Sequence, residues 1–206
     1  MNVLLINGSP HEKGCTYTAL SLIAGELNAS GIETEILNVG TKPMGGCIGW
    51  GGCAAGNGCV FGGVVNEAIE KAKTADAFVF GTPVHYASAS GNMTSFLDRL
   101  SYAGGKYLAY KPAAICCSAR RAGTTTTLDQ LVKYPEFFHM PLVSGSYWPM
   151  VHGSNPEQVL QDQEGCAVMR ELGRNMAWLL RCIEAGKAAG ISHPENPRRP
   201  MTNFIR

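Results

Sequence analysis

Short apolar runs and helical patterns alternate along almost the whole chain, and that alternation constrains the fold more than any other feature. Val3–Ile6 is an apolar run that stops at the turn cluster Asn7-Gly8-Ser9-Pro10. A helical pattern follows near 16–30, with Ala19, Leu20, Leu22, Ile23 and Leu27 available for an inward face. Glu33–Val39 reads as a second strand, a Gly- and Cys-rich insert fills Gly45–Gly63, and a helix over 64–74 leads to a third strand at Ala77–Phe80. A helix over 90–101 leads to a fourth strand at Ala113–Cys117, and a helix over 125–133 to a fifth around His139–Val143. A long helix, about 156–188, closes the domain. Such alternation predicts a parallel sheet covered by helices on both faces, with right-handed crossovers. Five strands suit the doubly wound order 2-1-3-4-5, in which a ligand binds at the carboxyl ends of strands 1, 3 and 4. At 206 residues the chain reads as one domain over 1–190 and a Pro-containing tail over 191–206, docked on the body or on a neighbouring subunit.

The connection after the first strand has the parts of an anion site. A strand, a polar loop and a helix start bring free backbone N–H groups and the positive end of the helix dipole to one spot. Ser9, Thr16 and Thr18 add hydroxyl groups. A Walker loop needs Gly-x4-Gly-Lys-Ser/Thr, but here five residues separate Gly8 from Gly14 and Cys15 stands in the lysine position. No Gly-x-Gly-x-x-Gly triplet follows the strand either. What remains is a longer Ser/Thr-rich loop that wraps a single terminal phosphate, or an ordinary strand-to-helix connection. The sheet order decides between them, because the loops after the third and fourth strands should then look functional too. After the third comes Gly81-Thr82-Pro83-Val84-His85-Tyr86, reaching Gly91 and Asn92. Pro83 cannot continue a ladder, which makes the chain turn there. His85 and Tyr86 offer flat side chains for an aromatic ring, and Gly91 permits close backbone approach. After the fourth comes Ser118-Ala119-Arg120-Arg121-Ala122-Gly123-Thr124. Its Ser118 and Thr124 hydroxyls, Gly123 and the helix start can donate to ring oxygens, and Arg120 or Arg121 can stabilise charge on a reduced flavin. Three polar loops at the three expected places favour a flavin site.

Gly8-Ser9-Pro10 with Gly14 and Thr16, Thr82-Pro83-Val84-His85-Tyr86 with Gly91, and Asp98-Arg99 resemble the NADPH-dependent FMN reductase family of flavodoxin-like proteins. That family's pattern is Gly-Ser-Pro-Arg…Gly-Asn/Cys-Thr, then Thr-Pro-x-Tyr…Gly…Asp-Arg. Met140-Pro141, Tyr147-Trp148, Val151-His152-Gly153, the late helix and the Thr202–Arg206 ending resemble a subgroup of the same proteins, so the likeness covers nearly the whole chain. The resemblance implies an α/β, flavodoxin-like three-layer sandwich with a five-stranded parallel sheet, FMN as cofactor and NAD(P)H as cosubstrate. By it, Ser9, His11, Cys15, Thr16 and Thr18 surround the FMN phosphate, while Pro83, Val84, His85, Tyr86 and Gly91 face the isoalloxazine. His11 and His85 replace the commoner Arg and Tyr. His85 and Tyr86 are the candidates for acid–base work. The resemblance also implies electron transfer to a quinone, a free flavin or an electron-transfer protein, in a homodimer or homotetramer with the site near a subunit interface. A non-enzymatic electron carrier of the flavodoxin kind is the alternative; such carriers are usually strongly acidic, and the net charge here is +1.

The segment from Cys47 to Cys59 is similar to the insert of the iron–sulfur flavoproteins, Cys-x2-Cys-x2-Cys-x5-Cys. Cysteine stands at 47, 53 and 59, and tryptophan at 50. A [4Fe–4S] cluster is normally held by four thiolates, and an indole has no ligating lone pair. No conventional cluster is expected, and Cys47, Cys53 and Cys59 read as free thiols in a glycine-rich loop, with Trp50 near the flavin or a subunit contact. A cluster on three cysteines with an outside ligand, a zinc site completed by a distant histidine, and a redox-active pair stay open. Eight cysteines without a signal sequence suit a reducing, cytoplasmic setting. Cys116 and Cys117 in their apolar run, and Cys166 and Cys182 on the long helix, read as small core residues. The near-neutral charge gives no pull toward nucleic acid or an anionic membrane surface. No apolar run reaches the roughly 20 residues needed to cross a bilayer. Met169, Met176, Trp178, Leu179 and Leu180 form an apolar helix face for core or subunit packing. Tyr147, Trp148 and His152 follow the fifth strand and either close over a neighbouring subunit's flavin or serve a core or interface. His139 and His193 have no evident partners and read as structural; Arg198 and Arg199 face solvent.

Overall fold

A computed structural model describes residues 1–196, 202 and 204. Its strands are β1 (Asn2–Asn7), β2 (Glu33–Asn38), β3 (Ala77–His85), β4 (Ser88–Ala89), β5 (Ala113–Ala119) and β6 (Met150–His152). Five of them form a parallel sheet in the order β2-β1-β3-β5-β6, while β4 folds back antiparallel on β3. With the short β4 set aside, this is the predicted doubly wound order. The helices are α1 (Cys15–Ala29), α2 (Val64–Thr74), α3 (Gly91–Gly104), α4 (Thr124–Phe137), α5 (Pro156–Gln161) and α6 (Gln163–Ala188).

The period-2 alternation of strand side chains divides the core between the two faces. Leu4, Ile6, Phe78, Phe80 and Ile115 point toward α2, α3 and α4, where Val65, Ile69, Phe96, Leu100 and Leu131 complete one cluster. Val3, Leu5, Val79, Ala114 and Cys116 point the other way, toward α1 and α6. Both faces are covered, so the central strands read in the sequence as continuous apolar runs. Helices α1 and α6 approach closely through Gly173, where a Cβ would lie 2.7 Å from Ile23 O. Among the described residues no helix is long and apolar enough to cross a membrane.

Several elements differ from the sequence-based expectation, each for a local reason. β3 does not stop before Pro83 but runs through it, pairing Pro83 with Ser118. Gly81 O accepts from Gly8 N and Phe78 N donates to Pro112 O, so odd-numbered residues of β3 turn their backbone groups toward β1. The β1 ladder ends at the Asn7–Gly81 pair, and the missing N–H of Pro83 therefore points where no strand remains. The edge strand is also displaced. Around Leu142 only a bridge to Ala113 forms, and the strand proper is β6, eight residues on, paired with Cys117–Ala119. Tyr147 and Trp148 consequently precede this strand rather than follow it. The predicted long helix breaks at Asp162, whose carboxylate accepts from Gly165 N (2.9 Å) as the N-cap of α6 and from His152 N (2.7 Å). On α6, Met169, Met176 and Leu180 are buried, but Trp178 and Cys182 are exposed and lie outside the core. His139 and His193 do have a partner: both rings stack on Tyr110, at 5.2 and 4.3 Å. Asn196 Nδ2 also donates to the Tyr110 hydroxyl. Arg198, Arg199, Asn203, Ile205 and Arg206 are outside the described residues.

Candidate functional site

Three loops meet at the carboxyl end of the sheet. The first leaves β1 at Asn7, a fully buried residue that holds the loop from inside. Its Nδ2 donates to Asn38 Oδ1 (2.8 Å) and Glu12 O (3.1 Å), and its Oδ1 accepts from Ser9 N (3.1 Å). Sequence reasoning saw Asn7 only as a turn former; its position at the end of a buried strand was the available signal. Ser9 Oγ accepts from His11 N (3.1 Å), which tightens the turn. Gly14 precedes α1 and no side chain caps the helix, so its first-turn N–H groups remain open to a ligand. Thr16 is buried, and its hydroxyl lies 2.8 Å from Ser118 Oγ, which joins the loops after β1 and β5.

The other predicted phosphate residues are placed differently. His11 is exposed at the rim. Cys15 turns its thiol toward Gly153 O (3.6 Å), and burial raises the pKa of that thiol. Thr18 Oγ1 donates back to Gly14 O (3.1 Å), inside the first helical turn. An uncapped helix start beside Ser9, Thr16 and Ser118 still matches the donor set that a phosphate requires.

The second loop is the β3–β4 hairpin. His85 pairs with Ser88 across a two-residue turn in which Tyr86 and Ala87 have φ of 49° and 58°. Such a turn normally takes Asn-Gly, because both central residues need positive φ. Here α4 holds it. Thr126 Oγ1 donates to Ala87 O (2.7 Å), and Gln130 Oε1 accepts from Ser88 Oγ (2.8 Å) and Ala89 N (3.0 Å). Gly123, at φ 92°, lets α4 start against the turn, since a Cβ there would sit 2.6 Å from Ala87 Cα. Pro83 and Val84 are half-buried, while His85 and Tyr86 project into solvent. Strain of this kind, held in place by several bonds, is a feature of functional loops. Ser90 then caps α3 and donates to Gly8 O (2.8 Å), which ties the second loop to the first.

Between these loops opens a cleft of about 410 Å³ lined by Gly8, Pro10, His85 and Gly91, with Gly40 and Met44 on its far side. Asn92 latches that far side, donating to Gly40 O and Lys42 O (both 2.9 Å) and accepting from Met44 N (3.2 Å). The third loop carries Arg120 and Arg121, both exposed, followed by Gly123 and the buried Thr124. It is steered by His152, whose Nε2 lies 3.1 Å from Arg121 O and whose Nδ1 lies 3.7 Å from Asp162 Oδ2. No sequence signal connected His152 with Asp162, because the pairing depends on the break before α6.

The cysteine insert lies beside α3. Cys47, Cys53 and Cys59 all border one small cavity, of about 30 Å³, together with Trp50, Arg99 and Tyr102. Arg99 is buried, 7% exposed. Its Nε donates to Cys59 Sγ (3.2 Å), and its two amino groups reach Gly62 O (3.0 Å) and Gly45 O (3.5 Å). Cys59 is also clamped through its backbone by Asn66. Among the described residues no group of three cysteines, histidines or carboxylates is placed to hold a metal ion. A conventional four-thiolate cluster does not fit this arrangement: Trp50 stands where one thiolate is needed, and the Cys59 sulfur is engaged by Arg99.

A profile described as NADPH-dependent FMN reductase matches residues 1–155. An iron-sulfur flavoprotein of Methanocaldococcus jannaschii is 28% identical over 193 residues, covering 89% of this chain and 100% of that one. An iron-sulfur flavoprotein of Archaeoglobus fulgidus is 29% identical over 197 residues, covering 91% and 96%. Among solved structures, RosB with bound 8-demethyl-8-formylriboflavin-5'-phosphate is similar with a TM-score of 0.71 at 15% identity, covering 100% of this chain and 93% of that one. An NADH:FMN oxidoreductase in its apo form gives 0.61 at 20% identity, covering 88% and 89%. At these identities the structural likeness establishes the flavodoxin-like fold.

Proposed function

The chain belongs to the NADPH-dependent FMN reductase family, and from that premise we propose that it binds FMN and uses it to carry electrons from NAD(P)H to a small acceptor such as a quinone or a free flavin. The observation that carries this reading is the convergence of the loops after β1, β3 and β5, joined by the Thr16–Ser118 and Ser90–Gly8 hydrogen bonds. When bound, FMN supplies the electron-transfer chemistry, and the chain supplies position and environment. The uncapped start of α1 holds the phosphate, with Ser9 and Thr16 fixing the loop that presents it. The hairpin from Pro83 to Tyr86 offers a rigid backbone edge to the ring system, held at its tip by Thr126 and Gln130. Gly91 keeps the adjoining wall open. Gly123 and Thr124 face the ring from the third side, and Arg120 or Arg121 offsets negative charge there. His85 and Tyr86 stand exposed at the mouth, where protons enter. Exposed Tyr147 and Trp148 suit burial against a second copy in a homodimer or homotetramer. A cytoplasmic location agrees with eight free cysteines.

One preparation tests the reading. The absorbance spectrum of the purified protein should show bound flavin, and denaturation should release FMN. Oxidation of NADPH or NADH should then depend on added quinone or FMN. Protein that neither carries nor takes up FMN would overturn the proposal. A yellow protein without turnover would leave the electron-carrier alternative, against which the net charge of +1 counts.

A further inference from the structure

The insert departs from the iron-sulfur flavoproteins to which the chain is similar, and the departure follows a chemical logic. Of its three cysteines, Cys59 is fixed. Moving its sulfur would strip the buried Arg99 of a hydrogen bond and disturb the Asn66 clamp. Cys47 and Cys53 are half-buried, border the same cavity, and lie on a segment where Gly49 and Gly51 both have positive φ. Their sulfurs are also in complementary states of hydrogen bonding. Cys47 Sγ accepts from Gly49 N (3.4 Å), whereas Cys53 Sγ donates to Tyr102 O (3.7 Å).

We propose that Cys47 and Cys53 form a dithiol–disulfide couple that exchanges with low-molecular-weight disulfides, where the relatives' names imply an iron–sulfur group. Cys47 gives up its proton to solvent and its sulfur attacks a small disulfide, forming a mixed disulfide and releasing one small thiol. Cys53 then attacks the Cys47 sulfur and releases the second thiol. Two protein thiols are oxidised, one small disulfide is reduced, and excess small thiol reverses the sequence. Bridging needs the two Cα atoms within about 4.4–6.8 Å, and Gly49, Gly51 and Gly52 between them supply the backbone freedom that such an approach requires. Burial (8% exposed) and the Asn66 clamp keep the Cys59 sulfur from an outside disulfide. The couple works without the flavin, so its test stands apart from that of the oxidoreductase reading.

The test uses protein carrying Cys182→Ser, which removes the exposed thiol on α6 and leaves seven of the eight cysteines. It is equilibrated with glutathione disulfide, alkylated, digested and weighed. The expected result is a reversible loss of two thiols per chain and a peptide linking Cys47 to Cys53. Adding Cys53→Ser should trap one glutathione on Cys47, and adding Cys47→Ser should abolish the bridge. Absence of the bridge, or a bridge that includes Cys59, would overturn the proposal. So would stoichiometric iron and sulfide in protein purified without oxygen.

Discussion

Replacing Thr16 with valine keeps the shape of the side chain and removes the hydroxyl that joins two loops of the site. Ser118 Oγ, on a residue only 4% exposed, then loses its partner 2.8 Å away. A buried hydroxyl left unsatisfied costs about 1–3 kcal/mol, while the change from Thr to Val alters helix propensity little. Thr16→Val is therefore expected to cost about 2 kcal/mol, and Ser118→Ala, its mirror image, about the same. The double variant leaves neither hydroxyl stranded, so its cost should be about 1 kcal/mol rather than the roughly 4 kcal/mol of simple addition. Urea unfolding reads the difference. With an m-value of about 2 kcal/mol/M, each single variant should lower the midpoint by about 1 M and the double variant by about 0.5 M. A double variant that falls by the sum of the singles would show that the hydroxyls do not share a bond and would remove the main tie between the loops after β1 and β5. Both singles should also weaken FMN binding, because the phosphate loop loses its anchor on β5.

Other perturbations address separate parts of the structure. Among the described residues Ser101 Oγ on α3 is buried and has no hydrogen-bond partner, so Ser101→Ala should raise stability by about 1 kcal/mol in the same urea assay; a loss would mean that the hydroxyl is satisfied in solution. Gly123→Ala places a Cβ 2.6 Å from Ala87 Cα at a φ of 92°, and should reduce FMN affinity about tenfold or more in a fluorescence titration. Gly25→Ala, in open space on α1, should leave affinity unchanged and add about 0.5–1 kcal/mol of stability. Burial pushes the Cys117 thiol up to about 12 from 9.0. This pKa is raised in the folded state, so the associated stability is complete below pH 9 and is lost as pH rises from 9 to 12. The slope reaches about 1.4 kcal/mol per pH unit, and Cys117→Ala should flatten it in a pH series of thermal melts.

The sheet was legible because its information is local and repeated. Each buried strand is an apolar run, and the break at Gly8-Ser9-Pro10 gave the carboxyl end of β1 and with it the place of the site. What could not be read depends on contacts between distant residues. Pro83 stays in β3 because β1 has already ended beside it, a fact about register. The Tyr86-Ala87 turn carries none of the usual hairpin residues and exists because Thr126, Gln130 and Gly123 hold it from α4. The apolar pattern puts the edge strand around His139–Val143, yet only Leu142 bridges there and the pairing that persists is at Met150–His152. The family resemblance puts Cys15 and Thr18 at the phosphate loop, and the contacts of their side chains there, to Gly153 O and Gly14 O, are not written in the local pattern.

The adjacent pair Asp98-Arg99 shows how one motif serves two bodies of the fold. Consecutive residues on a helix point about 100° apart, so the two side chains leave α3 in different directions. Asp98 accepts from the Tyr134 hydroxyl (2.7 Å) and ties α3 to α4, the helix that holds the hairpin. Arg99 turns the other way and carries the cysteine insert. Asn92, near the start of the same helix, latches the cleft wall at Gly40 and Lys42. At 1.5 Å per residue, Asn92 and Arg99 are about 10 Å apart along the axis. A single helix thus carries the cleft wall at its first turn and the thiol cavity two turns later. A displacement of α3 moves both together, and it reaches Cys53 as well, whose thiol donates to Tyr102 O on the same helix. By binding Cys59, Arg99 fixes the end of the insert that joins α2, whereas Cys47 and Cys53 are held by single contacts to Gly49 N and Tyr102 O.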